Sequence, residues 1–263
     1  MPNSAPCQYS LKFVRHHINY PIFVKELTRN MQKTAERNTL SCTVVNVNKY
    51  CFNFLTEEEK ELVEQKQVTV EYKKGEIIAK QGTFTTHILL VSEGLAKVYY
   101  EENYKSLILR IAAPGSLIGL TSLPLNQNVF QYTASAYINT TVKLIEIDII
   151  RKLILNNGQF ASAIVDVLCE TSIQKNRRFF CLTHRQSYGK LADIILCLAS
   201  NIFKQDEFDL AMSRKELAEL SGMSTESVIR TLKHFQEDGL IELTGKSFKV
   251  IDPDGLYKVC QLG

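Results

Sequence analysis

The stretch SRKELAELSGMSTESVIRTLKHFQEDGL, Ser213–Leu240, constrains this chain more than any other. Ser213 followed three residues later by Glu216 is a capping box, in which the hydroxyl accepts a first-turn N–H and the carboxylate reaches back to the cap. Leu217, Ala218 and Leu220 give a short first helix one apolar side. Ser221-Gly222 supplies a turn, because glycine takes a positive φ at little cost. Ser224 is a second N-cap. Val228, Leu232 and Phe235 then recur at helical spacing and leave Thr225, Glu226, Ser227, Ile229, Arg230, Lys233 and His234 to face outward. Ala218 is small where two helices must cross, and Val228 is apolar where the second packs back. This pattern predicts a helix-turn-helix; the alternative is an ordinary helical hairpin. A polar outer face with Glu and Arg in its first two turns suits a reader of the major groove.

Directly after it, Leu240–Leu243 and Ser247–Ile251 are two short β-prone runs around Thr244-Gly245-Lys246. That is a hairpin signal, and a hairpin behind a recognition helix makes a wing. Lys246 and Lys249 are in reach of phosphate, or are solvated hairpin lysines. Residues 183–263 hold ten Lys/Arg against twelve Asp/Glu, a net charge of −2. Affinity for DNA must therefore come from local placement of Arg214, Lys215, Arg230, Lys233, Lys246 and Lys249, with modest non-specific binding.

The other 182 residues read differently. The runs VTVEYKKGEIIAKQG, THILLVSEGLAKVYYEE, KSLILRIAAPGSLIGL, VFQYTASAYI and TVKLIEID are short, β-rich and separated by Gly, Pro and Asn. Such spacing predicts a sandwich or jelly roll. Before them, residues 52–67 read as a short helix capped by Thr56. After them, Phe160, Ile164, Val167, Thr171, Gln174, Arg178 and Cys181 keep a steady three-to-four spacing, with a parallel stripe at Val165, Leu168, Phe179 and Leu182. One face can pack on the roll and the other on a second helix, which makes a dimer seam. Residues 188–203 form another helix. The expected division is 1–40 a polar, basic extension, with Met31 as an alternative start, 41–150 the roll, 151–184 the dimerisation helix and 185–263 the winged helix-turn-helix. The fold class is α+β.

Hydrophobic content of 45% and charged content of 22% are those of a globular protein, and no apolar run is long enough to span a bilayer. The absence of a signal-peptide pattern makes the cytoplasm the expected location. The seven cysteines are odd in number and contain no Cys-x-x-Cys, which argues against a disulfide framework. Cys42 and Cys51 are open to a metal or cluster role, or are plain loop residues.

The order of roll, long helix and winged helix-turn-helix resembles the Crp/Fnr superfamily of bacterial transcription regulators, over residues 50–255. KKGEIIAKQG, SEGLAKVYY and PGSLIGL resemble the turns of that family's cyclic-nucleotide-binding fold. GKLADIILCLAS resembles the first helix of its DNA-binding domain, and GMSTESVIRTLKHFQEDGLIEL its recognition helix. The resemblance implies a homodimer on two-fold symmetric double-stranded DNA, working with RNA polymerase. It matches the family's base-reading residues to Glu226 and Arg230. Arg can grip guanine bidentately, and Glu can accept from cytosine. Thr225 stands where the cyclic-AMP receptor branch has a further arginine, which implies TTGA-type half-sites. Ser227 and Ile229 can touch sugar, phosphate or thymine methyl, and Ser213, Lys233 and Lys246 complete the candidate DNA surface.

The sensor departs from that family. Its cyclic-nucleotide binders pair a Gly-Glu with an Arg-Ser/Thr-Ala, whereas this chain has Gly119-Leu120 and Tyr132-Thr133-Ala134. A buried phosphate without a cation is costly, so cyclic AMP is not expected and the effector is unknown. Arg110 is the one residue that could substitute for the missing cation, but on a strand before Pro114-Gly115 it is expected to face solvent. Gly119, Leu120, Phe130, Tyr132, Thr133 and Tyr137 form the candidate effector pocket, apolar and aromatic, suited to a hydrophobic effector, to haem or to a filled core. No metal site is assigned. His87, His16 and His17 are weak haem ligands, and Cys42 and Cys51 lack the close spacing of an iron–sulfur cluster. The competing functions are a haem- or redox-dependent sensor, a constitutive DNA-binding protein with a structural roll, and a metal enzyme of cupin type. The last needs clustered histidines, and the roll has only His87.

Overall fold

The computed structural model describes residues 49–263 apart from Tyr104, Ala211 and Lys246. Met31, His16, His17 and Cys42 lie outside the described residues, as does the expected extension at 1–40.

A 3₁₀ turn, Lys49–Phe54, leads into α1, Glu57–Gln65. Thr56 caps α1 with a complete capping box through Glu59, so the helix begins five residues later than its composition suggested. Eight strands follow: β1 Gln67–Tyr72, β2 Ile77–Ala79, β3 His87–Glu93, β4 Ala96–Glu102, β5 Lys105–Ala112, β6 Leu117–Ile118, β7 Thr133–Ala136 and β8 Thr140–Glu146. They form two four-stranded sheets, ordered β1-β8-β3-β6 and β2-β7-β4-β5. Every pairing is antiparallel. The inner faces meet at Leu89, Val91, Val98, Ala112, Ile118, Ala134 and Val142, all buried. This is the jelly roll that alternating runs favour. Gly94, at φ +79°, turns β3 into β4, and a Cβ there would lie 2.3 Å from the Asn139 carbonyl oxygen. Only glycine fits.

The helical region after the roll is broken in two. α2, Ile147–Asn156, ends at Asn157, and α3, Gly158–His184, starts on the same residue. Asn157 Oδ1 accepts from Phe160 N at 2.9 Å, and its amide donates to the Phe54 carbonyl and to Glu59 Oε2 at 3.0 and 2.7 Å. The break thus fastens α3 to α1. Phe160, Ile164, Val167, Arg178 and Cys181 of α3 are buried, whereas Val165, Leu168, Ile173, Phe179 and Phe180 are exposed.

α4, Ser187–Cys197, continues as a π-helical turn, Leu198–Phe203, and opens the C-terminal domain. β9 Glu207–Asp209, α5 Arg214–Ser221, α6 Thr225–Glu237, β10 Ile241–Thr244, β11 Ser247–Val250 and α7 Pro253–Leu262 complete it. The wing is a three-stranded sheet, β10-β11-β9, and not a bare hairpin. β9 is too short to show in a period-2 pattern; Phe208 packs its ring on Phe203 and Phe248.

The DNA-binding domain and the roll share apolar packing. One buried cluster runs from Leu95, Ile108, Ile111 and Tyr137 of the roll into Leu217, Leu220, Val228 and Leu232.

Candidate nucleic-acid interface and roll cavity

The helix-turn-helix is assembled by local chemistry. Ser213 Oγ accepts from Glu216 N at 3.1 Å, and Ser213 N donates to Glu216 Oε2 at 2.9 Å. Gly222 ends α5 in the left-handed region at φ +63°. Its N–H returns to the Ala218 carbonyl, and a Cβ there would come within 3.1 Å of Leu182. Ser224 Oγ accepts from Ser227 N at 3.2 Å and starts α6. Val228, Thr231, Leu232 and Phe235 turn inward.

The opposite face of α6 is open. Glu226, Ile229, Arg230 and Lys233 are exposed, and Thr225 and Ser227 are half-buried beside them. The Glu226 carboxyl is held below its ordinary range, first by its own backbone N–H and then by the Ser224 hydroxyl. It is therefore an acceptor at neutral pH. Lys233 Nζ lies 3.6 Å from Glu237 Oε1, an exposed pair on the same helix. Ser213 is exposed, but its hydroxyl is engaged within the capping box. Lys246 lies outside the described residues, and Lys249 pairs with Glu207 at 3.4 Å.

The six residues assigned to an effector pocket separate. Gly119 takes φ +100° and leads into a 3₁₀ turn, Leu120–Ser122. Its N–H donates to the Tyr132 hydroxyl at 3.0 Å. Leu120 and Tyr132 line one cavity between the roll and α3. Phe130 joins the apolar interior between the sheets, against Gly119. Thr133 Oγ1 accepts from Gln81 N and donates to Glu101 Oε2. Tyr137 lies elsewhere, facing the DNA-binding domain. Burial, then the Glu216 and Glu219 carboxylates, push its phenol well above the ordinary value. An aromatic signal in sequence cannot tell the two sides of one sheet apart.

Arg110 corrects an expectation in the other direction. Its Nη1 is shielded from solvent and it lines the cavity. The cause is a bulge between β4 and β5, where Val98 pairs with Arg110 and Tyr99 with Ile108, so that Leu109 is the extra residue. Simple alternation fails there. Burial lowers the guanidinium's pKa, opposed by the Tyr132 phenol, and Nη2 donates to the Leu117 carbonyl at 2.8 Å.

Two contacts tie the roll to the helix-turn-helix. Lys97 Nζ of β4 lies 3.5 Å from Glu216 Oε1, with both side chains about one-fifth exposed. Arg178, 6% exposed on α3, donates Nη2 to the Ile108 carbonyl of β5 and to the Leu220 carbonyl of α5, each at 2.6 Å. Burial lowers its pKa to about 10, so it stays cationic at neutral pH. At the far end of α3, Arg185 Nη1 lies 2.7 Å from Oδ1 of Asp193, which is 1% exposed. Arg185 Nη1 is also 2.7 Å from Cys260 Sγ.

A cyclic nucleotide does not fit the two family motifs. Leu120 is apolar where a ribose needs a carboxylate. Tyr132 brings no cation where a phosphate needs one, and its hydroxyl is occupied by the Gly119 N–H. His87 opens β3, with Nδ1 2.8 Å from the Thr86 hydroxyl, and does not line the cavity. Cys51 is buried, which raises its thiol pKa to about 11 and disfavours the thiolate a metal needs. Among the described residues no group of three or more His, Cys, Asp or Glu is placed to hold a metal ion, and no helix is long and apolar enough to cross a membrane.

Residues 69–157 match the family model of the cyclic nucleotide-binding domain, and residues 189–259 that of the Crp-like helix-turn-helix domain. Transcriptional activator protein FnrA of Stutzerimonas stutzeri is 24% identical over 189 residues, covering 70% of this chain and 77% of that protein. Electron transport regulator A of Shewanella oneidensis is 23% identical over 237 residues, covering 86% of this chain and 93% of its own. The solved structure of FixK2 from Bradyrhizobium japonicum shares the fold with a TM-score of 0.67 at 18% identity, over 73% of this chain and 96% of that one. A nucleotide-binding-type roll, a long helix and a Crp-like helix-turn-helix, in this order and on these matches, place the chain in the Crp/Fnr superfamily of transcription regulators.

Proposed function

We propose that the protein works as a homodimer that reads a two-fold symmetric DNA site with TTGA-type half-sites through α6, recruits RNA polymerase in the cytoplasm and catalyses no reaction. The observation that carries this reading is the exposed row Glu226, Ile229 and Arg230 on a helix whose other face is fully packed. Arg230 grips guanine and Glu226 accepts from cytosine, while Ile229 meets a thymine methyl. Thr225, Ser227, Lys233, Ser213 and Lys246 supply sugar and phosphate contacts.

Dimerisation doubles these contacts, which a domain of net charge −2 needs. A second copy would cover the outer face of α3, where Val165, Ile173, Phe179 and Phe180 are each more than half exposed. An apolar groove lined by Leu125, Leu155, Val165 and Leu168 continues that face. The roll serves as the effector-binding part, because the cavity against α3 touches Arg178, which holds the end of α5.

DNase footprinting on a TTGA palindrome tests the reading, with Arg230→Ala as the variant. The substitution should cost about 1–3 kcal/mol on the specific site and little on unrelated DNA. An unchanged footprint would remove Arg230 from the reading set. Sedimentation of the free protein tests the dimer.

A further inference from the structure

Seven buried side-chain polar atoms have no hydrogen-bond partner among the described residues, and four of them line one cavity: Arg110 Nη1, Thr121 Oγ1, Gln174 Oε1 and Arg178 Nε. Buried polar groups are ordinarily satisfied, so four orphans converging on one space need an occupant that satisfies them. Two of the four belong to guanidinium groups. No carboxylate among the described residues forms an ion pair with either. The Asp193 carboxylate acts on Arg178 without a direct ion pair, and Arg110 has only the Tyr132 phenol beside it, so the cavity keeps cationic charge that an anion would offset.

The rest of the wall is apolar. Val98, Leu109, Leu117, Leu120 and Val167 line the same space. Its volume is about 110 Å³. A cavity of about 150 Å³ holds one benzene ring, so this one admits a compact molecule and no nucleotide without movement of α3.

We propose that this cavity is a binding site for a small organic carboxylate. Arg110 Nη1 and Arg178 Nε donate to the carboxylate oxygens, Thr121 and Gln174 complete its polar end, and the leucine and valine wall takes its apolar body. This deepens the reading of the roll as the effector-binding part and rests on it. It differs from nucleotide binding in using Arg110, a residue of β5 exposed to the cavity only by the bulge at Leu109. The ligand also meets a guanidinium whose other nitrogen already holds the Leu220 carbonyl, so binding reaches α5 through one side chain.

Isothermal titration of the full chain with acetate and propionate tests the site, with acetamide and propionamide as neutral controls of the same shape. At least one carboxylate should bind and its amide should not. Arg110→Met should weaken that carboxylate about 10- to 100-fold, the range for a charged hydrogen bond lost in a buried site. Thr121→Val leaves the cationic pair intact and should weaken it less. It keeps the test decisive if the arginine variant fails to fold. Binding of neither carboxylate, equal binding of acid and amide, or full binding by both variants would overturn the proposal. Footprinting the same preparation separates the two readings: a protein that binds DNA but no carboxylate loses only this site, whereas one that protects no palindrome loses the DNA reading itself.

Discussion

The α6 surface and the roll cavity place their polar groups in opposite ways. On α6 the groups proposed to meet DNA are exposed, solvated and carried on a helix whose packing is complete behind them. In the cavity they are buried and unsatisfied, and two of them are charged. A surface reader can change its side chains without loss of fold. A cavity built from buried cations cannot, because each group there is also part of the structure.

Substitutions can break this contrast or sharpen it. The largest effect is expected at Gly94, where alanine would need a positive φ and would strike the Asn139 carbonyl. Gly94→Ala should fail to give a folded roll, read as loss of the cooperative thermal transition. Arg178→Met comes next. It strips the donor from the Ile108 and Leu220 carbonyls, at roughly 1–3 kcal/mol for each acceptor, measured by urea unfolding. Leu232→Ala on the packed side of α6 should cost about 2–5 kcal/mol of stability. Arg230→Ala, less than one turn away, should leave stability within about 0.5 kcal/mol while weakening specific DNA binding by about 1–3 kcal/mol. If these two variants lose stability equally, the division of α6 into a packed and a reading face is wrong.

The smallest effect is expected at Glu216. Burial disfavours its charge, but the Ser213 backbone and hydroxyl and the Lys97 ammonium outweigh this and hold its pKa below the ordinary 4.5. A carboxyl depressed in the folded state stabilises above its unfolded pKa, and that contribution disappears as pH falls through the lower folded value. Glu216→Gln keeps the capping geometry and removes the charge. It should cost under about 1 kcal/mol at pH 7, because the Lys97 pair is partly exposed. It should also flatten the decline in stability that acid titration of the parent protein is expected to show below pH 4.5.

Much of the helix-turn-helix was legible in the chain. Ser213, Glu216, Gly222 and Ser224 act within three or four residues of themselves, and Val228, Leu232 and Phe235 follow one helical period. The roll was legible as a class of fold, through its punctuated alternation. The cavity was not. Arg110 follows from a one-residue bulge, which only the pairing of β4 with β5 reveals. Tyr132 and Tyr137 share a short aromatic segment but serve different surfaces. The short strand β9 has too few residues for any period to declare it, and Arg178 looked like one more polar position in a helical stripe. Its role depends on two carbonyls far away in the chain.

The shared apolar cluster has a consequence for how the molecule can be taken apart. Leu95, Ile108, Ile111 and Tyr137 of the roll are packed into the same core as Leu217 and Leu220. The sequence boundary near residue 185 is therefore not a boundary in cooperativity. Excised at that point, the DNA-binding segment would open an apolar patch to water and leave the Leu220 carbonyl without its arginine. Its melting point would report that wound and not its native strength. The two halves should melt together in calorimetry, and anything that loosens one loosens the other.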